Sequence, residues 1–372
     1  MFAEQDASAA EYPENPAITA AVREFVTKGE VAGVVTIVAA PDKIVHCSSV
    51  GLADIAGNVQ VSPDTIFWIA SMTKPITATA VLMLQDDGKL SVDDPVGKYI
   101  PELADMKTKD GKSYALTLRH LLTHTSGMCE ATPEESKAAQ KLADLIPIFA
   151  KRPLLFEPGS KWQYCQSGIN SLGRIIEIVS GQSYPEFVQK RLFDPLGMKD
   201  TSFYPTKEQL PRIVKPYKFA DGKLVEQEFL PVFDPKRPDH FPAANGGLFS
   251  TAPDYVRFCQ MILNNGSFGG KQYIKPESIK LMTTIQTGQI KTGFTEGNGW
   301  GLGWCVVREP QGVTAMVSPG TFGHGGAWGT QAWIDPVKQV AYVLMVQRTN
   351  FPNSDASDLR KAFQAAAAAP RP

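Results

Sequence analysis

The sequence predicts a mixed α/β (α+β) protein, in which an antiparallel sheet is flanked by helices and accompanied by a mainly helical insertion. Two apolar runs bounded by turn residues, 33–40 and 43–51, predict antiparallel strands near the start of the chain. Alternating apolar residues return after residue 301 and would complete the same sheet. The stretch between, roughly residues 86–245, is rich in proline, glycine and helical patterns and predicts the insertion.

The remaining elements follow from periodicity and from turn residues. Residues 1–16 are predicted to form a loose lead-in, and prolines 231, 235, 238 and 242 predict an irregular, lid-like loop. Apolar residues at helical spacing predict helices at 17–28, 75–85, 169–179 and 355–367. Strands in the second half of the chain are expected at 302–307, 315–318, 330–334 and 340–347.

Composition indicates an ordinary globular enzyme and excludes several classes of function. The chain has 372 residues, 43% of them hydrophobic, and a formal net charge of −1. This balance gives no reason to expect nucleic acid or an anionic membrane as a partner. No stretch approaches eighteen uninterrupted apolar residues, so no membrane insertion is expected.

The N-terminus and the cysteines bear on the compartment. Residues 1–6 have neither a basic region nor an apolar core, so we expect a cytoplasmic protein as written, or a periplasmic or secreted one if a signal peptide was removed. Five scattered cysteines without a Cys-x-x-Cys spacing indicate neither a zinc site nor a disulfide framework. Cys165 is expected to be a small packed residue. The oligomeric state is not specified by the sequence.

The most informative motif is Ser71-Met72-Thr73-Lys74, which follows an apolar run and opens a predicted helix. Positions i and i+3 share a helix face, so Ser71 Oγ and Lys74 Nζ are expected to point into the same space. A partly desolvated lysine loses its proton and then serves as a base for the serine hydroxyl. The alternative is an exposed helix N-terminus, with Ser71 as its cap and Lys74 in solvent.

A second motif, Tyr164-Cys165-Gln166, precedes a predicted amphipathic helix. A tyrosine there could reach the serine–lysine pair, relay a proton and have its pKa lowered beside the ammonium. The amide of Gln166 could donate to a substrate carbonyl. The alternative is a tyrosine packed under a loop.

A third motif is the glycine-rich stretch 323–329, which contains His324, Gly325, Gly326 and Ala327. Dense glycines permit close approach of a ligand to the backbone. An edge strand here would offer the N–H of Ala327 opposite that of Ser71, giving a two-donor oxyanion hole. His324 would stand at the mouth as a donor or a titrating group. The alternative is a hairpin with a surface histidine.

Other chemistries find little support. No Gly-x-Ser-x-Gly elbow and no phosphate-binding loop occur. His120 and His124 stand at i and i+4, but Leu121 replaces the glutamate of a zinc protease and no third ligand is apparent, so we expect helix-end packing. The glycine-rich stretch 297–303 indicates a tight approach to a strand, with Trp300 and Trp304 as cleft-lining aromatics. We therefore expect no metal and no cofactor.

Together the three motifs resemble the serine β-lactamase-like superfamily, above all class C β-lactamases, D-alanyl-D-alanine carboxypeptidases and family VIII carboxylesterases. The resemblance extends from about residue 35 to residue 346. It includes the blocks FWIASMTK (67–74), LSVDDPV (90–96), LRHLLTHTSG (118–127), FEPG (156–159), PLGM (195–198) and GGLFSTAPD (246–254).

The resemblance implies a β-lactamase/transpeptidase-like fold, with a discontinuous α/β domain at 1–85 and 246–372 and a mainly helical domain at 86–245. It further implies Ser71 as the acylated nucleophile, proton transfer by Lys74 and Tyr164, and an oxyanion hole formed by the N–H groups of Ser71 and Ala327. Substrate contacts would come from residues aligned with the binding motifs, namely Gln166, His324, Gly325 and Gly326.

Two departures from the family pattern affect the expected substrate. Gln166 stands where many members have asparagine, and His324-Gly325-Gly326 replaces the Lys-Thr-Gly of β-lactamases. An imidazole and a glycine are expected to bind a β-lactam carboxylate more weakly than an ammonium and a hydroxyl do. We therefore expect a serine hydrolase that acts on small acyl esters. The alternatives are a β-lactamase or D-amino-acid peptidase, an acyltransferase, or a non-turnover penicillin-binding or sensor protein.

Overall fold

An antiparallel sheet forms the centre of the molecule. The computed structural model describes residues 12–369, so most of the predicted lead-in lies outside the described residues. Within them, the strands in chain order are β1 (Gly33–Ala39), β2 (Ile44–Asp54), β3 (Val59–Gln60), β4 (Phe67–Trp68), β5 (Met106–Lys107), β6 (Ser113–Tyr114), β7 (Tyr217–Ala220), β8 (Lys223–Glu226), β9 (Phe249–Ser250), β10 (Ser267–Phe268), β11 (Lys271–Gln272), β12 (Asn298–Trp300), β13 (Cys305–Val307), β14 (Phe322–Gly325), β15 (Gln331–Asp335) and β16 (Val340–Val346). Eight of them form one sheet in the order β12-β13-β14-β15-β16-β1-β2-β3.

Helices cover both faces of the sheet, because the central strands are apolar on both sides. On β1, Val34 packs in a cluster with Ile18 and Phe363, whereas its neighbour Val35 packs in the main core with Phe258. The sequence therefore has near-continuous apolar runs here, as expected for a strand buried on both faces. The helices are α1 (Pro16–Thr27), α2 (Thr73–Asp86), α3 (Leu118–Leu122), α4 (Pro133–Ala138), α5 (Leu142–Ala150), α6 (Gln166–Ser180), α7 (Tyr184–Val188), α8 (Asp194–Leu196), α9 (Ala252–Leu263), α10 (Pro276–Thr283) and α11 (Asp358–Ala368).

The predicted fold class is confirmed, and most predicted elements lie within a few residues of the observed ones. The main sheet takes its strands from residues 33–60 and 298–346. Between residues 86 and 245, helices α3–α8 dominate, and the short strands there pair only with one another among the named strands. The division into domains at 1–85 with 246–372, and 86–245, remains a prediction.

Two predictions about strands are wrong. Residues 315–318 form a turn, although Val317 is buried. The Asp335 carboxylate accepts the N–H of Ser318, and Lys338 Nζ donates to the carbonyl of Met316. The N–H of Val317 donates to the carbonyl of Thr314, so side chains and turn bonds rather than a partner strand satisfy this backbone. The glycine-rich strand β14 lies third from the edge of the sheet, not at the edge, although β13 pairs with it only at Phe322 and Gly323.

The short ribbon β4–β9 connects the two halves of the chain beside the serine motif. Trp68 pairs with Phe249, and the Ile69 N–H donates to the carbonyl of Leu248 at 3.0 Å. Residues 245–248 are thereby held against the turn that carries Ser71.

All five cysteines of the described residues are free thiols. Cys129 is half-buried, whereas the other four are buried. Burial raises the pKa of Cys165 to about 12, as expected for the small packed residue that the sequence predicts.

No helix among residues 12–369 is both long and apolar enough to cross a membrane.

Candidate active site

Ser71 lies in a sharp turn at the entrance to α2. The turn is a 3₁₀ segment, Ala70–Met72, and Ala70 has a left-handed backbone with φ of 45°. A non-glycine residue in this region is strained, and such strain collects at functional sites. Ser71 is half-buried, and its N–H lies at the start of the turn, before the first intrahelical bonds.

Lys74 is fully buried beside the serine. Its Nζ donates to Ser71 Oγ at 3.0 Å and to the carbonyl of Asn245 at 2.7 Å. Desolvation lowers the pKa of Lys74 to about 7, against the opposing charge of Glu130. The alternative of a solvated lysine is therefore wrong, and Lys74 has the proton affinity of a general base at neutral pH.

Tyr164 lies over the same pair. Its ring centroid is 4.5 Å from Lys74 Nζ, and its hydroxyl is 3.3 Å from Nε2 of His324. Desolvation raises the pKa of Tyr164 well above 10, although a hydrogen bond with Ser71 acts in the opposite direction. The expectation of a lowered pKa is wrong, because burial is the largest influence on this hydroxyl and raises its pKa. The Tyr164 hydroxyl therefore keeps its proton at neutral pH.

Side chains from four separate segments enclose Tyr164 and form what we call the aromatic wall. Its ring contacts His124 at 4.5 Å, Phe294 at 4.9 Å and Trp300 at 6.1 Å between centroids. The aromatic wall consists of His124, Trp162, Tyr164, Phe294, Trp300 and His324. Burial within this wall is the largest cause of the shifted pKa values of Tyr164 and His324.

His324 belongs to the interior of this wall rather than to the mouth of the site. It lies on β14 with 3% of its surface exposed, and its Nδ1 is 2.7 Å from the carbonyl of Gly325. Because a carbonyl only accepts, Nδ1 carries the proton, and Nε2 accepts from the Tyr164 hydroxyl. Burial, followed by the charge of Lys74, lowers the pKa of His324 to about 3. The expectation of a titrating group at the mouth is therefore wrong.

The glycines after His324 permit close packing against the serine turn. A Cβ on Gly326 would lie 2.7 Å from the carbonyl oxygen of Ile69, and one on Gly325 would lie 2.1 Å from Asp355 Oδ1. The Thr330 hydroxyl also donates to the carbonyl of Ile69, at 3.3 Å. Ala327, the next residue, is exposed, so the order of residues suits the predicted oxyanion hole. That hole remains a prediction.

Gln166 begins α6 and is tied to a residue that sequence reasoning missed. Its Oε1 accepts from Asn245 Nδ2 at 2.9 Å, which leaves its Nε2 as the donor for a ligand. Asn245 thus contacts both Gln166 and Lys74. Its position just before the Gly246-Gly247 block was the one signal that could have revealed it.

Glu130 was also missed. Its Oε1 accepts the N–H of Gln166 at 2.6 Å, and its Oε2 accepts the N–H and the hydroxyl of Ser167 at 2.9 and 2.7 Å. A carboxylate is stabilised at a helix N-terminus, where unpaired N–H groups point outward. No periodicity or motif marks Glu130, because these contacts span about forty residues of sequence.

A cleft of about 530 Å³ opens beside Gln166 and Asn245. The predicted lid-like loop forms one side of it, and Phe233 of that loop stacks on Trp68 with ring centroids 4.7 Å apart. We call this surface, with Glu130 and Gln166, the cleft wall. Its apolar lining residues are Ala131, Pro133, Leu145, Phe149, Leu230, Pro231, Val232, Phe233 and Phe241.

Two further predictions need correction. Trp304 is a core residue that stacks on Phe258, and Trp300 is buried in the aromatic wall, so neither lines the open cleft. His124 lies beyond the end of α3 with φ of 58°, so it does not share a helix face with His120. The predicted role in packing and hydrogen bonding is observed instead, since His124 Nδ1 accepts the N–H of Cys165 at 3.1 Å.

The fold and this arrangement are those of the β-lactamase-fold family of serine hydrolases. The Beta-lactamase family model matches residues 18–367, and the chain belongs to that family. The resemblance inferred from the sequence motifs is thus confirmed.

Individual relatives carry different activities in their names. Esterase EstB of Burkholderia gladioli is 31% identical over 345 residues, which cover 84% of this chain and 85% of EstB. Penicillin-binding protein 4 of Amycolatopsis lactamdurans is 30% identical over 292 residues, covering 78% and 73%. The solved structure of EstCE1, described as a hydrolase with promiscuous acyltransferase activity, shares the fold with a TM-score of 0.80 at 21% identity, covering 95% and 97%.

Proposed function

We propose that this protein is a carboxylesterase that hydrolyses small acyl esters through an acyl-serine intermediate. The observation that supports this most directly is the fully buried Lys74, whose Nζ lies 3.0 Å from Ser71 Oγ and whose pKa is lowered by desolvation to about 7. Such a lysine supplies the free amine that a serine nucleophile needs at neutral pH.

In the proposed reaction, Lys74 Nζ takes the proton of Ser71 as Oγ attacks the ester carbonyl carbon. The N–H groups of Ser71 and Ala327 hold the resulting oxyanion. The bond to the leaving oxygen then breaks, and Tyr164 donates its hydroxyl proton to that oxygen and is reprotonated from Lys74. Water repeats these steps on the acyl-enzyme, releasing the carboxylic acid and restoring Ser71.

The state of His324 favours a neutral ester over a substrate with a carboxylate. Burial keeps its imidazole uncharged, and its two ring nitrogens are engaged by the Gly325 carbonyl and the Tyr164 hydroxyl. The imidazole therefore offers neither a positive charge nor a free N–H to the carboxylate of a β-lactam or a D-alanyl peptide.

The test follows acylation and turnover of p-nitrophenyl butyrate and nitrocefin, with intact-protein mass and absorbance recorded for the wild type and for Ser71→Ala. We expect rapid ester turnover, slow or absent nitrocefin hydrolysis, and loss of both in the variant. Faster nitrocefin turnover would move the assignment to a β-lactamase. A stable adduct without turnover would indicate a penicillin-binding or sensor protein. Wild-type rates in Ser71→Ala would contradict the whole mechanism.

A further inference from the structure

Glu130 places a fixed negative charge on the cleft wall. Its carboxylate is exposed to the cleft, yet three hydrogen bonds from Gln166 and Ser167 hold both of its oxygens. The other charged side chains that line this cleft are Glu134 and Lys137, which are exposed. The described lining therefore carries more negative than positive charge on an otherwise largely apolar surface.

The charge of Glu130 acts on Lys74 and Tyr164, the groups that transfer protons in the proposed reaction. Burial is the largest influence on the pKa of Lys74 and of Tyr164, and the Glu130 carboxylate acts on both, raising the pKa in each case. Contacts connect the cleft to the serine: Asn245 lines the cleft with Glu130, and its carbonyl accepts from Lys74 Nζ, which also donates to Ser71 Oγ. A charge this near also acts on a ligand held at Ser71. Its effect on an anionic ligand is repulsive.

We infer that Glu130 is a specificity-determining residue, whose fixed carboxylate excludes acyl groups that carry a negative charge and admits uncharged, apolar ones. This inference rests on the proposed esterase function and names its substrate class: esters of uncharged carboxylic acids, as opposed to half-esters of dicarboxylic acids. The same carboxylate holds the N-terminal turn of α6, so it cannot swing away from an incoming anion as a free surface glutamate does.

The test compares a neutral and an anionic acyl group of similar size on the same leaving group. The value of kcat/KM is measured for p-nitrophenyl valerate and for p-nitrophenyl hemisuccinate in the wild type, Glu130→Gln, Glu130→Asp and Glu134→Gln. The wild type should prefer the valerate. In Glu130→Gln that preference should fall about tenfold, whereas Glu130→Asp, which keeps the charge, should retain it. Glu134→Gln, which removes a carboxylate without these contacts, should change it less than about twofold.

Varying the ionic strength distinguishes an effect of the Glu130 charge on substrate preference from an effect of its side-chain shape. Raising NaCl from about 0.02 to about 0.5 M should weaken the wild-type preference for the valerate and leave that of Glu130→Gln nearly constant. An unchanged preference in Glu130→Gln, or an equal loss in Glu130→Asp, would overturn the inference. Equal losses for both substrates in Glu130→Gln would reduce Glu130 to a purely structural residue. Absence of ester turnover in the wild type would refute the proposed function instead.

Discussion

The aromatic wall and the cleft wall differ in almost every physical property, although Lys74 contacts both. Its Nζ lies 4.5 Å from the ring centroid of Tyr164 and donates to the carbonyl of Asn245, which lines the cleft. On the aromatic wall, burial has moved the pKa of Tyr164 well above 10 and that of His324 to about 3. On the cleft wall, the polar groups of Glu130 and Gln166 remain accessible, and a loop supplies much of the apolar surface. Under the proposed function, the aromatic wall would set the proton affinities of the reacting groups, and the cleft wall would select the acyl group.

The largest effect is expected when Lys74, the desolvated base that contacts both walls, is replaced. In Lys74→Met, kcat should fall on the order of 10²- to 10⁴-fold, the range for a positioned acid–base group. The midpoint of thermal unfolding should rise at pH 6, because an ammonium whose pKa is lowered from 10.5 to about 7 is disfavoured in the fold.

The two effects of Lys74→Met are measured by steady-state kinetics and by calorimetry. Ser71→Ala is the matched control: it should abolish acylation without the gain in stability at pH 6, since its lysine stays buried. A Lys74→Met protein that unfolds at pH 6 at the same or a lower temperature than the wild type would contradict the prediction that the charged form of Lys74 destabilises the fold.

Tyr164→Phe tests the proton donor of the aromatic wall with little change in packing. The ring contacts remain, but the hydroxyl between Ser71 and His324 is lost, so kcat should fall on the order of 10²-fold or more. The loss should shrink for esters with a better leaving group, which need less protonation as the bond breaks. An unchanged rate for poor and good leaving groups alike would remove Tyr164 from the mechanism.

The pH profile tests which group titrates. The value of kcat/KM should rise with pH through about 7 and then level off, because the deprotonated amine of Lys74 is the active form. His324 should add no step near its ordinary pKa, since burial lowers that pKa to about 3. A flat profile from about pH 5 to 9 would argue against Lys74 as the base.

The smallest effect is expected on the cleft wall. In Phe233→Ala the cleft gains space beside Trp68, so the ratio of kcat/KM for p-nitrophenyl octanoate over butyrate should rise about three- to tenfold. The pH midpoint of the same variant should not move, because the aromatic wall is untouched. A shifted midpoint would show that the two walls are coupled.

The sequence predicted what depends on local pattern. Ser71 and Lys74 share a helix face by spacing alone, and the valine-rich strands β1 and β16 are legible as apolar runs. Glu130 and Asn245 were not predicted, since each acts through contacts made only when distant segments meet. The pKa of Tyr164 was misjudged for the same reason: three of the four segments of the aromatic wall, which contribute His124, Phe294 with Trp300, and His324, are distant from Tyr164 in sequence.

The distribution of cysteines makes Cys129 a natural attachment point for a probe. The other four thiols are buried, and burial raises the pKa of each, so they form the reactive thiolate poorly. Cys129 is half-buried and directly precedes Glu130 on the cleft wall. A maleimide fluorophore on the unmodified chain should therefore attach there first and report, by its emission, when an acyl group occupies the cleft.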